Sequence, residues 1–300
     1  MISPPTGQAL APYLVSIIIP TYNSNKCIGR CLDSLREQTF GNYEVVIVDG
    51  GSTDGTQQTV EEYASSFSRL TLRSEKDRGV YDAMNKGIAL AHGQWLLFLG
   101  SDDALYAPDV LAKMAGHLSP AYDFIYGNVF SASASSWASA GVVYDGVFDQ
   151  DKILRRNICH QAIFYSRSLF TRHGGYDLSY KVLADWEFNL RVFQTAKKKH
   201  VELIVASFEG GGMSTALVDH EFFLRFPEIV DRAFRLPLRA AFYRERRMGL
   251  FELARYHWRR HHRRLSLRFL WMWLVHAKPG EIRHQAREVW HQRRAALRSS

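Results

Sequence analysis

The stretch that decides the fold is an apolar run followed at once by an acidic pair, Trp95-Leu96-Leu97-Phe98-Leu99-Gly100-Ser101-Asp102-Asp103. A run this short, bounded by Gly93 and Gly100, predicts a buried strand. Two adjacent carboxylates at the end of a buried strand repel each other unless a cation or hydrogen-bond donors lie between them. Oxygen-rich sites of this kind suit Mg²⁺ or Mn²⁺ that carries a phosphate group. Alone, the pair is equally compatible with Asp102 capping the next helix and Asp103 facing solvent.

Strand and helix patterns alternate upstream of this pair. The apolar, β-branched runs predict strands over residues 14–20, 43–48, 69–74 and 95–99. Helical spacing predicts helices over residues 28–40, 56–67 and 80–91. This alternation predicts an α/β fold with a mostly parallel, doubly wound sheet. The unusual polar residues then lie at the carboxyl ends of strands, where ligands bind in such sheets.

Four motifs, in this order, carry a resemblance to a known family. They are VSIIIPTYN (15–23), VIVDGGSTDGT (46–56), SEKDRGVYDAMNKGI (74–88) and FLGSDD (98–103). Together they resemble family 2 glycosyltransferases, which have the Rossmann-like GT-A fold, and the third motif is similar to transferases that build bacterial exopolysaccharides such as colanic acid. The resemblance covers residues 14–215. It implies an inverting transferase that moves a sugar from a nucleotide diphosphate, UDP by preference, to a hydroxyl of a glycan or lipid-linked acceptor in bacterial surface polysaccharide synthesis.

The resemblance also implies which residues bind the donor nucleotide. Asp49 would accept a hydrogen bond from the uracil N–H, because a carboxylate offers only acceptors; capping of the helix near Thr56 is the alternative. Asp82 and Asn85 share one face of a helix, which is equally compatible with an ordinary polar face. The implied donor-nucleotide residues are Pro20, Thr21, Tyr22, Asp49, Arg78, Asp82, Asn85 and Asp102.

The acidic pair is the implied metal site. The resemblance makes Asp103 the direct ligand of Mn²⁺ or Mg²⁺, and Asp102 either a contact to the donor or a ligand through water. The chain departs from the family at Gly100, where relatives often carry a further Asp. A metal there would act as a Lewis acid that neutralises charge on the leaving diphosphate.

Inverting transfer also needs a base that takes the proton of the acceptor hydroxyl. The resemblance assigns this role to Asp185, with Glu187 in reserve; an N-cap role for Asp185 is compatible with it. His160 opens a predicted strand over residues 159–165 and either faces the active site or is a core histidine. The glycine-rich segment 209–215 resembles loops that close over the diphosphate in relatives.

The chain is predicted to have three parts: an N-terminal arm (1–13), a GT-A catalytic domain (14–220) and a basic, aromatic helical extension (221–300). The catalytic domain divides into a nucleotide-binding half (14–105) and an acceptor half (106–220). The charge of the chain is concentrated at its C-terminal end.

Residues 1–234 carry a net charge of −5, whereas residues 235–300 carry +13. Arginines in that basic segment alternate with aromatic residues, which favours helices lying on an anionic membrane surface. The apolar stretch 267–275 is too short to span a bilayer, and a last basic helix is predicted over 281–297. Oligomer packing is the second interpretation and nucleic-acid binding the third.

Three cysteines do not make a disulfide framework, and residues 1–12 hold no apolar run of the length of a secretory signal. We therefore expect a cytoplasmic protein, peripheral at the inner face of the cell membrane. Two other functions stay open. A nucleotidyltransferase would need a Gly-rich basic loop where Thr21-Tyr22-Asn23-Ser24 stands. A non-catalytic nucleotide-sugar-binding module is kept open by Gly100.

Overall fold

The computed structural model describes residues 13–134, 139–209, 217–238, 240–282 and 284–285. The chain divides into two compact units, Met1–Asp219 and His220–Ser300. Several predicted segments lie outside the described residues: the N-terminal arm apart from Tyr13, the glycine-rich segment after Glu209, and most of the predicted last helix.

Within the described residues, the first unit is built on a nine-stranded sheet. Its strands are β1 (Val15–Thr21), β2 (Tyr43–Asp49), β3 (Leu70–Ser74), β4 (Trp95–Phe98), β5 (Ala104–Leu105), β6 (Phe124–Ser131), β7 (Val142–Tyr144), β8 (Ile163–Ser166) and β9 (Lys198–Phe208). They are ordered β3-β2-β1-β4-β8-β6-β9-β5, and β7 pairs with β6. The β3-β2-β1-β4 half is parallel, as is the β6–β9 pair, and each of these ladders is longer than any antiparallel one. The predicted α/β fold with a mostly parallel sheet is confirmed.

The helices of the first unit are α1 (Ile28–Arg36), α2 (Thr56–Tyr63), α3 (Val80–Leu90), α4 (Val110–Ala115), α5 (Gln150–Ile153), α6 (Arg167–His173) and α7 (Ala184–Phe193). The first three lie where helical spacing predicts them, although each ends earlier than expected. The predicted strand over 159–165 is wrong at its start, because His160–Ala162 forms a 3-10 turn and β8 begins at Ile163.

The central parallel strands are buried along their whole length, as expected for strands covered on both faces. Polar groups at their amino ends are internally paired. Ser16 Oγ donates to Glu44 Oε1 over 2.6 Å, and the Gly93 N–H donates to Ser16 Oγ over 2.7 Å. The Arg69 guanidinium lies 3.3 Å from the other Glu44 oxygen. Protein groups thus surround these polar atoms, although Glu44 Oε2 has only ion-pair contacts and no hydrogen bond.

The second unit is helical in its described part, which confirms the predicted helical C-terminal region. Its helices are α8 (His220–Phe234), α9 (Ala241–Glu245), α10 (Arg247–Arg259) and α11 (Arg263–His276). Helices α10 and α11 pack together: the rings of Phe251 and Trp273 are 4.7 Å apart, and Ser266 Oγ donates to the Ala254 carbonyl over 2.8 Å. No helix among the described residues has the length and apolar character needed to cross a membrane.

The packing of α3 on β1 gives a test of the fold. A Cβ at Gly87 would overlap Ile18 Cγ2, in the core between these elements. We expect Gly87→Ala to lower the free energy of unfolding by about 1–3 kcal/mol, because this overlap outweighs the gain of about 1 kcal/mol in helix propensity. Urea denaturation measures the effect.

The matched control is Gly249→Ala in α10, where a Cβ meets no atom within 4 Å. That substitution should raise the free energy of unfolding by about 0.5–1 kcal/mol. Equal effects of the two substitutions would contradict the packing described for α3.

Candidate functional site

A cavity of about 370 Å³ opens at the carboxyl ends of β1 and β4. One side is formed by the ends of these strands and the start of α3. The wall residues from this side are Pro20, Thr21, Tyr22, Ser24, Cys27, Asp77, Gly79, Val80, Tyr81, Ala83, Met84, Gly100, Ser101, Asp102 and Asp103. The other side comes from the second half of the unit and consists of His160, Gln161, Lys181, Val182 and Phe208. The cavity therefore lies where an open α/β sheet binds ligands.

The carboxylate of Asp103 is buried in the floor of this cavity, with 2% of the residue exposed. Its Oδ2 accepts a hydrogen bond from Gln161 Nε2 over 2.9 Å, and its Oδ1 accepts one from the Glu209 N–H over 3.2 Å. Burial, reinforced by the charge of Asp102, raises the pKa of Asp103 to about 6. A carboxylate with this environment gains from a nearby cation.

Gly100 leaves the space into which both carboxylates point. A Cβ at this position would lie 2.6 Å from Asp103 Oδ2 and 2.8 Å from Asp102 Oδ1. Both carboxylates thus lie too close for any side chain at position 100, and an Asp there would have to displace them. The described residues contain no cluster of three or more His, Cys, Asp or Glu side chains suited to a metal. The oxygen pair fits Mg²⁺ or Mn²⁺ that takes its other ligands from phosphate and water.

Arg30 ties the acidic pair to the strand on the other side of the cavity. From α1, its guanidinium donates to the main-chain carbonyl of Asp102 and to the carboxylate of Glu209, which follows β9. The same Glu209 contributes the N–H that binds Asp103. The position of the acidic pair is therefore set jointly by α1 and the end of β9.

The predicted nucleotide residues at the end of β1 lie on the cavity wall. Tyr22 is largely exposed there, whereas Thr21 is buried and its Oγ1 has no hydrogen-bond partner among the described residues. Pro20 completes the group. A buried hydroxyl without a partner on a cavity wall is a polar contact that remains available for a ligand.

Asp49 is placed differently from these residues. Its side chain is fully buried and is absent from the cavity wall formed by the described residues. The carboxylate accepts hydrogen bonds from the Ser52 N–H over 3.0 Å, from Ser52 Oγ, and from Ser74 Oγ over 2.6 Å. These contacts join the turn after β2 to the end of β3.

The other predicted nucleotide residues on and before α3 also lie off the described wall. Arg78 is exposed, and its guanidinium lies 3.1 Å from Asp82 Oδ1. Asn85 makes two hydrogen bonds of 2.9 Å with the main-chain N–H and carbonyl of Tyr176. Asn85 thus fastens the segment before α7 to α3.

The carboxylate of Asp185 is surrounded by four donors. Oδ1 accepts a hydrogen bond of 2.8 Å from the Trp186 N–H and lies 2.8 Å from the Tyr81 hydroxyl, whose single proton is shared with the Val182 carbonyl at 2.6 Å. Oδ2 accepts from Asn157 Nδ2 over 2.9 Å and is 3.0 Å from His160 Nδ1. The residue is only 7% exposed and does not line the described cavity wall.

His160 lies between Asp185 and the cavity. It lines the wall, and its side chain is 20% exposed. Because the carboxylate can only accept, the contact assigns the proton to Nδ1 and leaves Nε2 as an acceptor. The 3-10 turn at His160–Ala162 places His160 beside Asp185 and Gln161 beside Asp103.

Asp185 is not the N-cap residue of α7, although its Oδ1 accepts the N–H of Trp186 in the first turn of that helix. Helix α7 begins at Ala184 with Leu183 as its N-cap residue, and Asp219 Oδ2 accepts the N–H groups of Val182 (2.9 Å) and Leu183 (3.3 Å).

The reserve candidate Glu187 lies one turn into the same helix. It is buried and pairs with Arg191 over 2.7 Å, off the described cavity wall.

Sequence reasoning missed the partners that position these carboxylates. Tyr81 lies in the third motif and Gln161 in the predicted strand over 159–165, but these patterns do not indicate a role for either residue. Arg30 and Asn157 carry no signal that spacing reveals, since their partners are distant in the chain; Tyr81 and Asp185, for example, are 104 residues apart.

Comparison with known proteins identifies the family. Residues 16–171, more than half of the chain, match the sequence model described as Glycosyl transferase family 2. A "PGL/p-HBAD biosynthesis glycosyltransferase" of Mycobacterium tuberculosis is 46% identical over 236 residues, covering 76% of this chain and 89% of the relative. The chondroitin synthase of Escherichia coli is 28% identical over 195 residues, which are 64% of this chain but only 28% of that protein.

Solved structures agree in fold. TarS 1–349 of S. aureus in complex with UDP-GlcNAc has a TM-score of 0.63 at 22% identity, with 81% of this chain and 71% of that chain covered. The mannosyltransferase PcManGT of Pyrobaculum calidifontis, in complex with GDP-Man and Mn²⁺, has a TM-score of 0.54 at 19% identity, with 95% and 83% covered. With the motifs, the cavity and the family match taken together, the chain belongs to glycosyltransferase family 2 and has the GT-A fold.

Proposed function

We propose that this glycosyltransferase moves a sugar, with inversion, from a UDP-linked donor to a hydroxyl of a glycan or lipid-linked acceptor in surface polysaccharide synthesis. The observation that carries the proposal is that one cavity joins an acidic pair, Asp102 and Asp103, to a histidine backed by a carboxylate, His160 and Asp185. The UDP-GlcNAc bound to TarS supports the choice of donor.

The donor diphosphate is proposed to bind beside the acidic pair, with the nucleoside against Pro20, Thr21 and Tyr22. Asp103 and Asp102 would hold Mn²⁺ or Mg²⁺, a choice supported by the Mn²⁺ in PcManGT. When bound, the ion neutralises the charge that develops on the leaving diphosphate. The unpartnered Thr21 hydroxyl is available to the nucleoside.

The acceptor proton is proposed to pass to the His160–Asp185 pair. As the acceptor oxygen bonds to the anomeric carbon, the bond from that carbon to the diphosphate breaks and the hydroxyl proton moves to His160 Nε2. Asp185 holds the ring through Nδ1 and stabilises the imidazolium that forms. The sequence motif assigns the base to Asp185 directly, but its four donors favour a role through His160.

The first test is nucleotide release from a panel of UDP-, GDP- and dTDP-sugars, with and without Mn²⁺ or Mg²⁺. We expect slow, metal-dependent hydrolysis of one UDP-sugar, reduced at least about 100-fold in Asp103→Asn because the ion loses its carboxylate ligand. Asp151→Asn is the control, since Asp151 is exposed and off the cavity wall.

Other outcomes of that test separate the alternatives. Donor binding in calorimetry without turnover, even with lipid-linked acceptors supplied, would favour the binding module. Formation of a nucleotide sugar and diphosphate from a nucleoside triphosphate and a sugar phosphate would instead favour the nucleotidyltransferase.

A second prediction separates the two candidates for the base. If His160 takes the proton, His160→Gln lowers kcat by about 100- to 10,000-fold with little change in the KM for the donor. A His160→Gln enzyme with wild-type kcat, beside an inactive Asp185→Asn enzyme, would show that Asp185 acts directly.

A third prediction concerns stability without metal. Because the pKa of Asp103 is raised to about 6 in the fold, the folded protein holds this proton more tightly than the unfolded chain, whose carboxyl pKa is about 3.9. In EDTA, this group therefore makes the free energy of unfolding fall as pH rises from about 4 to about 6, and its effect is level above that.

Asp103→Asn lacks this decline. At pH above about 7 the free energy of unfolding of the variant should exceed that of the wild type by about 1–3 kcal/mol. This difference should shrink towards pH 4. Urea denaturation across the pH range measures it, with Asp151→Asn as the control. A variant that is less stable at every pH would show that Asp103 mainly stabilises the fold.

A further inference from the structure

Helix α11 carries a second apolar face that the described part of the protein leaves uncovered. Its inner side buries Phe269, Met272 and Trp273. The opposite side exposes Leu267 (59%), Trp271 (58%), Leu274 (44%) and Val275 (42%), and the spacing of these four residues places them on one face. A helix that is apolar on both sides is normally covered on both sides.

Arginines border this face. Arg263 and Arg264 are exposed in the first turn of α11, and Arg259 and Arg260 lie at and just after the end of α10. None of these four forms an ion pair with a carboxylate among the described residues. Arg268, one turn further along, does pair with Asp231.

An exposed tryptophan, Trp258, lies next to one of these arginines. Trp258 is 57% exposed at the end of α10, and the guanidinium of Arg263 lies 6.0 Å from the centre of its ring. Together with Trp271 it gives the surface two exposed indole rings, the side chain that is enriched at the boundary between lipid and water. We call this surface the α11 face: Trp258, Arg263, Arg264, Leu267, Trp271, Leu274 and Val275.

We propose that the α11 face binds the surface of a bilayer that contains anionic phospholipid, with α11 lying in the plane of the interface. Leu267, Trp271, Leu274 and Val275 would enter the boundary of the acyl chains, while the unpaired arginines bind lipid phosphates. This inference is independent of the proposed reaction, because it rests only on the helical unit.

Two other occupants fit the face less well. Helix α11 has no Asp or Glu, so the same face of a second copy offers no counterion to the unpaired arginines. Nucleic acid supplies phosphates, but it leaves the aliphatic side chains of Leu267, Leu274 and Val275 without an apolar partner. An anionic bilayer satisfies both requirements at once.

Co-sedimentation of the full chain with vesicles tests the proposal. Wild type should bind vesicles of phosphatidylcholine mixed with phosphatidylglycerol and bind phosphatidylcholine alone weakly. Arg263→Gln/Arg264→Gln should weaken binding about 30-fold, because each arginine near an anionic surface contributes about a fivefold factor. Leu267→Gln/Trp271→Gln should weaken it at least about tenfold.

Matched controls remove similar groups elsewhere. Phe223→Gln changes an exposed aromatic residue of α8. Arg36→Gln/Arg73→Gln removes two charges from the first unit. Both variants should bind vesicles as the wild type does. Quenching of wild-type tryptophan fluorescence by bromine-labelled acyl chains is a second measurement that needs no variant.

Three results would overturn the proposal. The first is a wild-type protein that does not bind anionic vesicles and shows no quenching of its tryptophan fluorescence. The second is folded α11 variants that bind vesicles as the wild type does. The third is that the wild type does not bind vesicles but forms a dimer, or a complex with nucleic acid, that Leu267→Gln/Trp271→Gln abolishes.

Discussion

The buried carboxylate of Asp185 connects the two sides of the cavity. Tyr81 reaches it from α3, which packs on β1, while Asn157 and His160 reach it from the segment before β8. Its charge is compensated by donors from separate parts of the chain, so losing the carboxylate would leave several buried groups without partners. Asp185 therefore links Tyr81, on one side of the cavity wall, to His160 on the other. If His160 takes the acceptor proton as proposed, a change at Asp185 alters both stability and proton transfer, so experiments on it must measure both.

The acidic pair, in contrast to Asp185, has few hydrogen-bond donors. Asp103 is held by only two protein hydrogen bonds, beside a second carboxylate and above a glycine. Burial without a full set of donors disfavours its charged form, which is why its pKa is raised. The proposed cation would therefore stabilise the charged form of this pair. Gly100 contributes to this arrangement, because a side chain there would clash with both carboxylates.

Local patterns were enough to predict the first four strands, the first three helices and the placement of Thr21 and Asp103 at one sheet edge. They were not enough for residues whose surroundings come from distant parts of the chain. Asp49 follows a strand as predicted, and its carboxylate accepts a hydrogen bond from Ser74, 25 residues further along the chain. The residues at 160–162 read as strand, yet contacts of His160 with Asp185 and of Gln161 with Asp103 accompany a 3-10 turn. Periodicity contains no information on such partners.

The two parts of the chain respond differently to a charged surface. Residues 1–234 carry a net charge of −5 and residues 235–300 carry +13, so an anionic bilayer attracts the C-terminal part and repels the rest. Because screening limits such forces to about 8 Å at physiological ionic strength, attachment needs direct contact by the basic helices. Charge alone would give weak, salt-sensitive binding. The exposed apolar side chains of α11 add a contribution to the binding free energy that salt does not screen. Binding that weakens with salt but does not vanish would reflect both contributions.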